Sequence, residues 1–295
     1  MFGPNVSSII ESKVNFHHRE ENFFQIYSDI KSLFNKKFNL NDKYEIIVIT
    51  GSGSLSIESI ISSFKYNFSL QGKSGRFKDR WSKLLTHYKK NNSNSNYQFH
   101  VQYETSKSEH NDLSNKTAFF VDSVSSFPYY DIPKNAKIVV TVSSKLLGCS
   151  PVLGIVLIDK NILKDHFIDK SVETYLNINK HIYFSSYDQT PFTPAIPLYD
   201  ELRQKLQSFQ IEELRNKVNY VSSILVDCFG EENIIGSSKG PVITLKSDFN
   251  FPKEIITKYQ PYGSKSIKKS NYQIFTYSEE VSKYEDFVKD YNNFR

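Results

Sequence analysis

Three short apolar runs between Phe119 and Ile158 constrain this chain more than any other feature. The first ends in Asp122. The second, Ile138 to Val142, runs into Ser143, Ser144 and Lys145. The third, Gly154 to Ile158, follows a loop that holds Pro151. Each run is short, β-branched and almost wholly apolar, the pattern of parallel strands buried on both faces. Such strands need helices above and below them, so they predict a layered α/β fold. A carboxylate closing one buried strand and a lysine just past another are costly in a core. Open α/β sheets bind ligands at the carboxyl ends of their strands. The acid and the amine therefore mark a ligand site.

The rest of the chain supplies the layers. Apolar residues at Phe23, Phe24, Ile26, Tyr27, Ile30, Leu33 and Phe34 recur at helical spacing within Glu20–Phe38. Tyr44–Thr50 reads as an apolar strand, followed by Gly51-Ser-Gly-Ser54 and a helix face of Leu55, Ile57, Ile60, Ile61 and Phe64. A helix over Phe77–Tyr88 ends in a polar, Asn-rich loop, and His100–Tyr103 reads as a short strand. Beyond Pro191, Pro194 and Pro197, one long helix is expected over Leu202–Asp227. Strands at Val242–Leu245 and Tyr272–Thr276, with helices over 253–259 and about 284–291, predict a small α+β unit. The expected architecture is a three-layer, mostly parallel α/β sheet in a large domain of residues 1–200. A small C-terminal α+β domain takes 201–295, and the N-terminal segment is free to join it. The 295 residues suffice for one large and one small domain.

Composition excludes several classes. The net charge of +5 comes without a basic and aromatic stripe, so nucleic acid is not an expected partner. The two cysteines, Cys149 and Cys228, make no disulfide framework and suit a reducing compartment. No basic segment precedes an apolar run at the N-terminus, and no stretch reaches the ~18 apolar residues of a membrane span. The expectation is a cytoplasmic protein that does not bind membranes. The seven histidines show no metal spacing, so no metal is expected.

Each candidate residue has a plain alternative. Thr50–Ser54 between strand and helix can present backbone amides, Ser52, Ser54 and a helix dipole to an anion. It can equally be an ordinary turn with Ser54 as the helix cap. Lys145 can be a lysine that snorkels out of the sheet edge, Asp122 a turn cap, and Phe77 and Trp81 core residues. Cys149 has no histidine close in sequence to make it a nucleophile. Taken jointly, an acid and an amine at strand ends suit pyridoxal 5'-phosphate. Its aldehyde takes a lysine and its ring nitrogen takes a carboxylate.

Seven segments in order resemble the class V aminotransferases of the type I pyridoxal-phosphate fold, and most of all the 2-aminoethylphosphonate–pyruvate type. Gly3-Pro4 and His17-His-Arg19 with Phe23 or Phe24 resemble the family's opening GP and HHR…F. Thr50-Gly-Ser-Gly-Ser54 with Glu58 resembles TGSGT…E, which implies phosphate binding by Ser52, Gly53 and Ser54. Ser74-Gly-Arg-Phe-Lys-Asp-Arg80 resembles NGRFGER, whose aromatic, here Phe77, stacks on the cofactor ring. Glu104-Thr-Ser106 with Asn111 resembles ETSTG..N and places Thr105 or Ser106 near the cofactor hydroxyl. Val121–Ser126 resembles VDAVSS, with Asp122 on the ring nitrogen and Val124 under the ring. Ser143-Ser144-Lys145 followed by Pro151 resembles the cofactor lysine and its loop. Phe192-Thr-Pro194 resembles FTPP, whose threonine, here Thr193, reaches the partner subunit's phosphate in a homodimer.

The resemblance implies an aminotransferase moving an amino group from a small amine or amino acid, 2-aminoethylphosphonate-like or alanine/serine-like, to a small 2-oxo acid. Lys145 and Asp122 would be its catalytic residues. The chain departs from the pattern at Asn5, at Ser144, at Val152 and, most consequentially, at Gln273 in Tyr272-Gln-Ile-Phe275. There the family carries an arginine that forks onto a carboxylate, which glutamine cannot imitate. Arg19, Arg76 and Arg80, or Lys265, Lys268 and Lys269, are the remaining candidate cations, with Arg19 and Gln273 assigned to substrate. The departure leaves two alternatives open: an altered substrate or reaction on the same fold, or a non-catalytic paralogue.

Overall fold

The computed structural model describes residues 2–4, 16–91, 96–164, 168, 171, 173–263 and 271–294. Asn5, Lys265, Lys268 and Lys269 lie outside the described residues. Among those described, no helix is long and apolar enough to cross a membrane.

A six-stranded sheet sits at the centre. Its strands are β1 (Tyr44–Thr50), β2 (Asn67–Gln71), β3 (Asn96–Val101), β6 (Phe120–Asp122), β7 (Ile138–Val142) and β8 (Leu153–Asp159), in the order β1-β8-β7-β6-β3-β2. Between β3 and β6, β4 (Tyr103–Glu104) and β5 (Glu109–His110) form a small hairpin. The strands β2, β3, β6 and β7 pair in parallel. β8 runs antiparallel to both neighbours, β1 and β7. The third apolar run is therefore no parallel strand, against expectation. Burial on both faces makes a strand apolar whatever its direction. The direction follows from the ten-residue connection after β7, which contains only a short 3₁₀ turn at Lys145–Leu147. A parallel return needs a crossover of about a dozen residues or more, usually a helix.

Helices cover both faces, and residues alternate between them with the period of two that strands impose. Ile46, Val48, Val139, Ile155 and Leu157 face one core, under α1 (Glu21–Lys37) and α5 (Ile196–Ser208). Ile47, Ile49, Val140, Val156 and Ile158 face the other, under α2 (Gly53–Ser63), α3 (Arg76–His87) and α4 (Ile178–Ser185). Gly154 has a reason in this packing: a Cβ there would lie 1.9 Å from Ser56 Oγ, so only glycine lets α2 settle on β8.

The expected helix over Leu202–Asp227 is two helices. α5 ends at Ser208, Phe209 is extended, and α6 (Ile211–Phe229) starts afresh. The break redirects the chain. Leu202, Leu206 and Phe209 bury in the core with α1, whereas Val221, Leu225 and Phe229 of α6 enter a separate core. That core joins α6 to the sheet β9 (Ile234–Ile235), β10 (Val242–Leu245) and β11 (Gln273–Phe275) and to α7 (Lys253–Tyr259) and α8 (Val281–Phe294). Phe2 is buried in it too, stacked on Tyr284.

Candidate functional site at the strand ends

The parallel strands and β1 deliver their carboxyl ends to one edge of the sheet. β6 ends in Asp122, β7 leads to Lys145, β1 leads to α2, and β3 leads to Thr105. Lys145 lies in the 3₁₀ turn with a left-handed backbone, φ 57°. Its Nζ donates to Ser125 Oγ at 2.7 Å and lies 5.7 Å from the centroid of the Phe77 ring. Thr105 Oγ1 donates to the same Ser125 oxygen at 2.7 Å. The expectation for the Glu104-Thr-Ser106 turn is thereby narrowed, because Ser106 Oγ turns away to Glu104.

Asp122 is buried. Its Oδ1 accepts from Val124 N at 3.0 Å and its Oδ2 from Trp81 Nε1 at 2.8 Å. Burial raises its pKa, and the two donors and Lys145 offset part of that rise. Burial also lowers the pKa of Lys145, to about 8, against the opposing pull of Asp122. Both members of the pair are thus pushed toward their neutral forms. A perturbed acid beside a perturbed amine makes this sheet edge the candidate functional site.

The turn after β1 forms a second group. Ser52 caps α2 by accepting from Leu55 N at 3.2 Å. The expected cap, Ser54, is instead inside the helix, where its Oγ accepts from Arg80 Nη1 at 3.1 Å. Gly53, the first helical residue, lies against Val124, which joins this turn to the Asp122 segment. Glu58 accepts from Tyr88 OH and so ties α2 to the end of α3. Ser144 is buried and extended, immediately ahead of the Lys145 turn.

Of the remaining predicted residues, Arg19 and Thr193 stand apart from this group and Gln273 touches it through Thr105. Arg19 Nη1 donates to Gln189 Oε1 at 2.8 Å and its guanidinium lies over Phe184, beside α4. Thr193 is exposed, next to Phe192, which stacks on Tyr175. Gln273 is buried, and its Nε2 donates to Thr105 O at 2.6 Å and to Thr244 Oγ1 at 3.0 Å. Its amide hydrogens thus join β11 to the turn that holds Thr105.

Sequence reasoning missed three residues. Ser125 links Lys145 to Thr105, and only its place three residues after Asp122 hinted at it. Trp81 lies one helical turn after Phe77, on the same face. Glu104, fully buried, accepts from the backbone N–H of Phe77 and Lys78 and caps α3 from outside the helix. That carboxylate fixes where Phe77 stands over Lys145.

No family model matches the chain, and no curated protein is similar to it in sequence. Solved structures are similar in fold. A subgroup IV aspartate aminotransferase from Thermus thermophilus superposes with a TM-score of 0.77 at 17% identity, covering 98% of each chain. An alanine–glyoxylate aminotransferase from Nostoc sp. gives 0.78 at 15% identity, over 99% of this chain and 94% of that one. A phosphoserine aminotransferase from Cytophaga hutchinsonii gives 0.75 at 16%, over 94% and 90%. The chain therefore has the fold these aminotransferases share, fold type I of the pyridoxal-phosphate transferases, with a mostly parallel central sheet.

Proposed function

We propose that the protein is a pyridoxal-phosphate-dependent aminotransferase, moving an amino group from a small amine or amino acid to a small 2-oxo acid. The observation that carries this reading is the Lys145–Ser125–Thr105 hydrogen-bond chain beside the buried Asp122 carboxylate, with Phe77 over the lysine. The residues fit the cofactor. Asp122 receives one donor on each oxygen, so each keeps an acceptor site for a ring N–H. The Lys145 amine is committed to a neutral hydroxyl rather than to a carboxylate. The start of α2 offers backbone amides, Ser54 and the Arg80 guanidinium to a phosphate.

Bound there, pyridoxal phosphate supplies an aldehyde for amines and a ring that draws electrons from the carbon next to the nitrogen. Lys145 holds the aldehyde through its amine. With its pKa near 8, a fraction of that amine is neutral and nucleophilic at pH 7. The Lys145 amine would be the group that holds and moves a proton beside the reacting carbon. Asp122 would hold a proton at the ring nitrogen, and Phe77 and Val124 would pack against the ring. Ser52, Gly53 and Ser54 hold the phosphate, with Ser144 at the approach to Lys145. Thr193 serves the partner's site in a homodimer. The large unit expected at residues 1–200 and the small unit expected at 201–295 would, on this reading, divide after α5, since Leu202 and Leu206 bury with α1.

For the amino donor, the 2-aminoethylphosphonate type is our first assignment. Its candidate cations are Arg76 and Arg80, on the helix that carries Phe77, whereas Arg19 lies beside α4. A second reading is favoured by Gln273, whose amide hydrogens are already used by Thr105 and Thr244. On that reading the substrate has no carboxylate to be clamped at β11.

The test is cofactor uptake. Protein mixed with pyridoxal phosphate should gain a visible absorption band, and borohydride should fix a pyridoxyl group on Lys145. Lys145→Ala should abolish both. A protein that stays colourless and unlabelled is no aminotransferase. Loss of the band with aminoethylphosphonate but not alanine supports the phosphonate donor; loss with neither points to the second reading.

A further inference from the structure

Lys145 sits on a loop held in an unfavourable shape. Its own φ is 57°, and Val152 at the far end has φ 87°. Left-handed backbone is costly for any side chain and most costly for a β-branched one. Such conformations persist only where their surroundings impose them. Most of the bonds that do so come from within the loop and from the strand ends beside it. Ser143 N donates to Leu153 O, Cys149 N to Ser143 O, and Ser143 Oγ to Ser150 O. Gly51 N reaches Val152 O at 2.7 Å.

A helix contributes as well. Glu201 on α5 accepts from Ser150 N through Oε1 at 2.8 Å. Its Oε2 is buried and has no hydrogen-bond partner among the described residues. Burying an unpaired acceptor is unfavourable, and the packing of α5 does not require it, since Leu202 and Leu206 do that work. The carboxylate acts at the turn. Cys149, next to Ser150, has its thiol pushed up to about 12 by burial, with Glu201 adding to the effect.

We propose that Glu201 is a positioning residue: its bond to Ser150 clamps the 143–152 loop and fixes the backbone from which Lys145 reaches Ser125. The inference rests on Lys145 being the reactive amine of the site. With the clamp open, Lys145 relaxes to an ordinary backbone and its amine turns toward water. The groups facing that amine are Asp122 and Ser125 from the end of β6 and Phe77 from α3. Arg80 sits 5.7 Å from the same Phe77 ring. None of them is altered by changing Glu201.

The experiment needs no cofactor. Full-length protein is cleared of carbonyl ligands with hydroxylamine and labelled with acetic anhydride across pH. Mass spectrometry of the Lys145 peptide then gives the pH at which the amine becomes reactive. The wild type should show half-maximal reactivity near pH 8. Glu201→Ala should move the profile up by a pH unit or more, making Lys145 about fivefold less reactive at pH 8. Glu201→Asp, about 1.5 Å too short to reach Ser150, should do the same and serves if the alanine variant fails to fold. Glu201→Gln keeps the acceptor and should keep the wild-type profile. A folded Glu201→Asp protein with the wild-type profile overturns the proposal, as does a Glu201→Gln profile shifted like that of Asp. A wild-type Lys145 that reacts only at ordinary lysine pH removes the reading beneath it instead.

Discussion

Replacing Lys145 with methionine should make the protein more stable, in a pH-dependent way. The amine is partly buried and its pKa falls from the usual 10.5 to about 8. At about 1.4 kcal/mol per pH unit, that gap corresponds to roughly 3 kcal/mol against the charged form in the folded state. Residual solvent access, and the hydrogen bond to Ser125 that methionine forfeits, reduce the net gain to about 1–2 kcal/mol. The sign is fixed by linkage. Between pH 8 and 10.5 the unfolded chain binds the proton that the folded chain has released. Wild-type stability therefore rises with pH across that window, and the penalty is fully present below pH 8. Losing the nearby cation raises the Asp122 pKa further, a cost at pH 7, but the Lys145 shift already includes that attraction, so it is not subtracted a second time. Urea unfolding of cofactor-free wild type and Lys145→Met at pH 7 and pH 10 measures this. The variant should lead at pH 7 and lose most of its lead at pH 10. An equal difference at both pH values, or a less stable variant at pH 7, would refute the argument that Lys145 is held against its solvation preference.

Gly75→Ala should destabilise by about 1–3 kcal/mol, because its Cβ would lie 2.2 Å from Glu104 Cγ and Cδ; a melting temperature unchanged from wild type would show that Glu104 can yield. Trp81→Phe removes the indole donor to Asp122 and should cost about 1–3 kcal/mol while raising the Asp122 pKa further, as read by denaturant unfolding and the carboxyl infrared band. Gln273→Arg should place a guanidinium against Thr105 O and Thr244 Oγ1 without a carboxylate and cost about 3 kcal/mol or more, seen as a lowered melting temperature that pyruvate partly restores if β11 faces substrate.

The sheet was largely legible because its strands are buried on both faces. Continuous apolar runs located β1, β7 and β8 within a residue or so, and helical periodicity located α1, α2 and α3. Strand direction was not legible in the run Gly154–Ile158, since antiparallel and parallel strands bury the same side chains; the helix-free connection before it decides the matter. The break at Phe209 was equally hidden, because each helix on either side keeps its own apolar spacing and no proline or glycine stands between them.

By itself the sequence determined that a carboxylate, Asp122, closes one buried strand and an amine, Lys145, lies just past another, because burial leaves an apolar signature that polar residues interrupt; that the two strands are neighbours came from the sheet. Only the tertiary structure decided their partners. Ser125 for the amine, Trp81 for the acid, Glu104 for the helix carrying Phe77 and Glu201 for the lysine loop come from segments between twenty and more than fifty residues away. Hydrogen bonds are set by directions and distances at a sheet edge, and no periodicity in the chain encodes those.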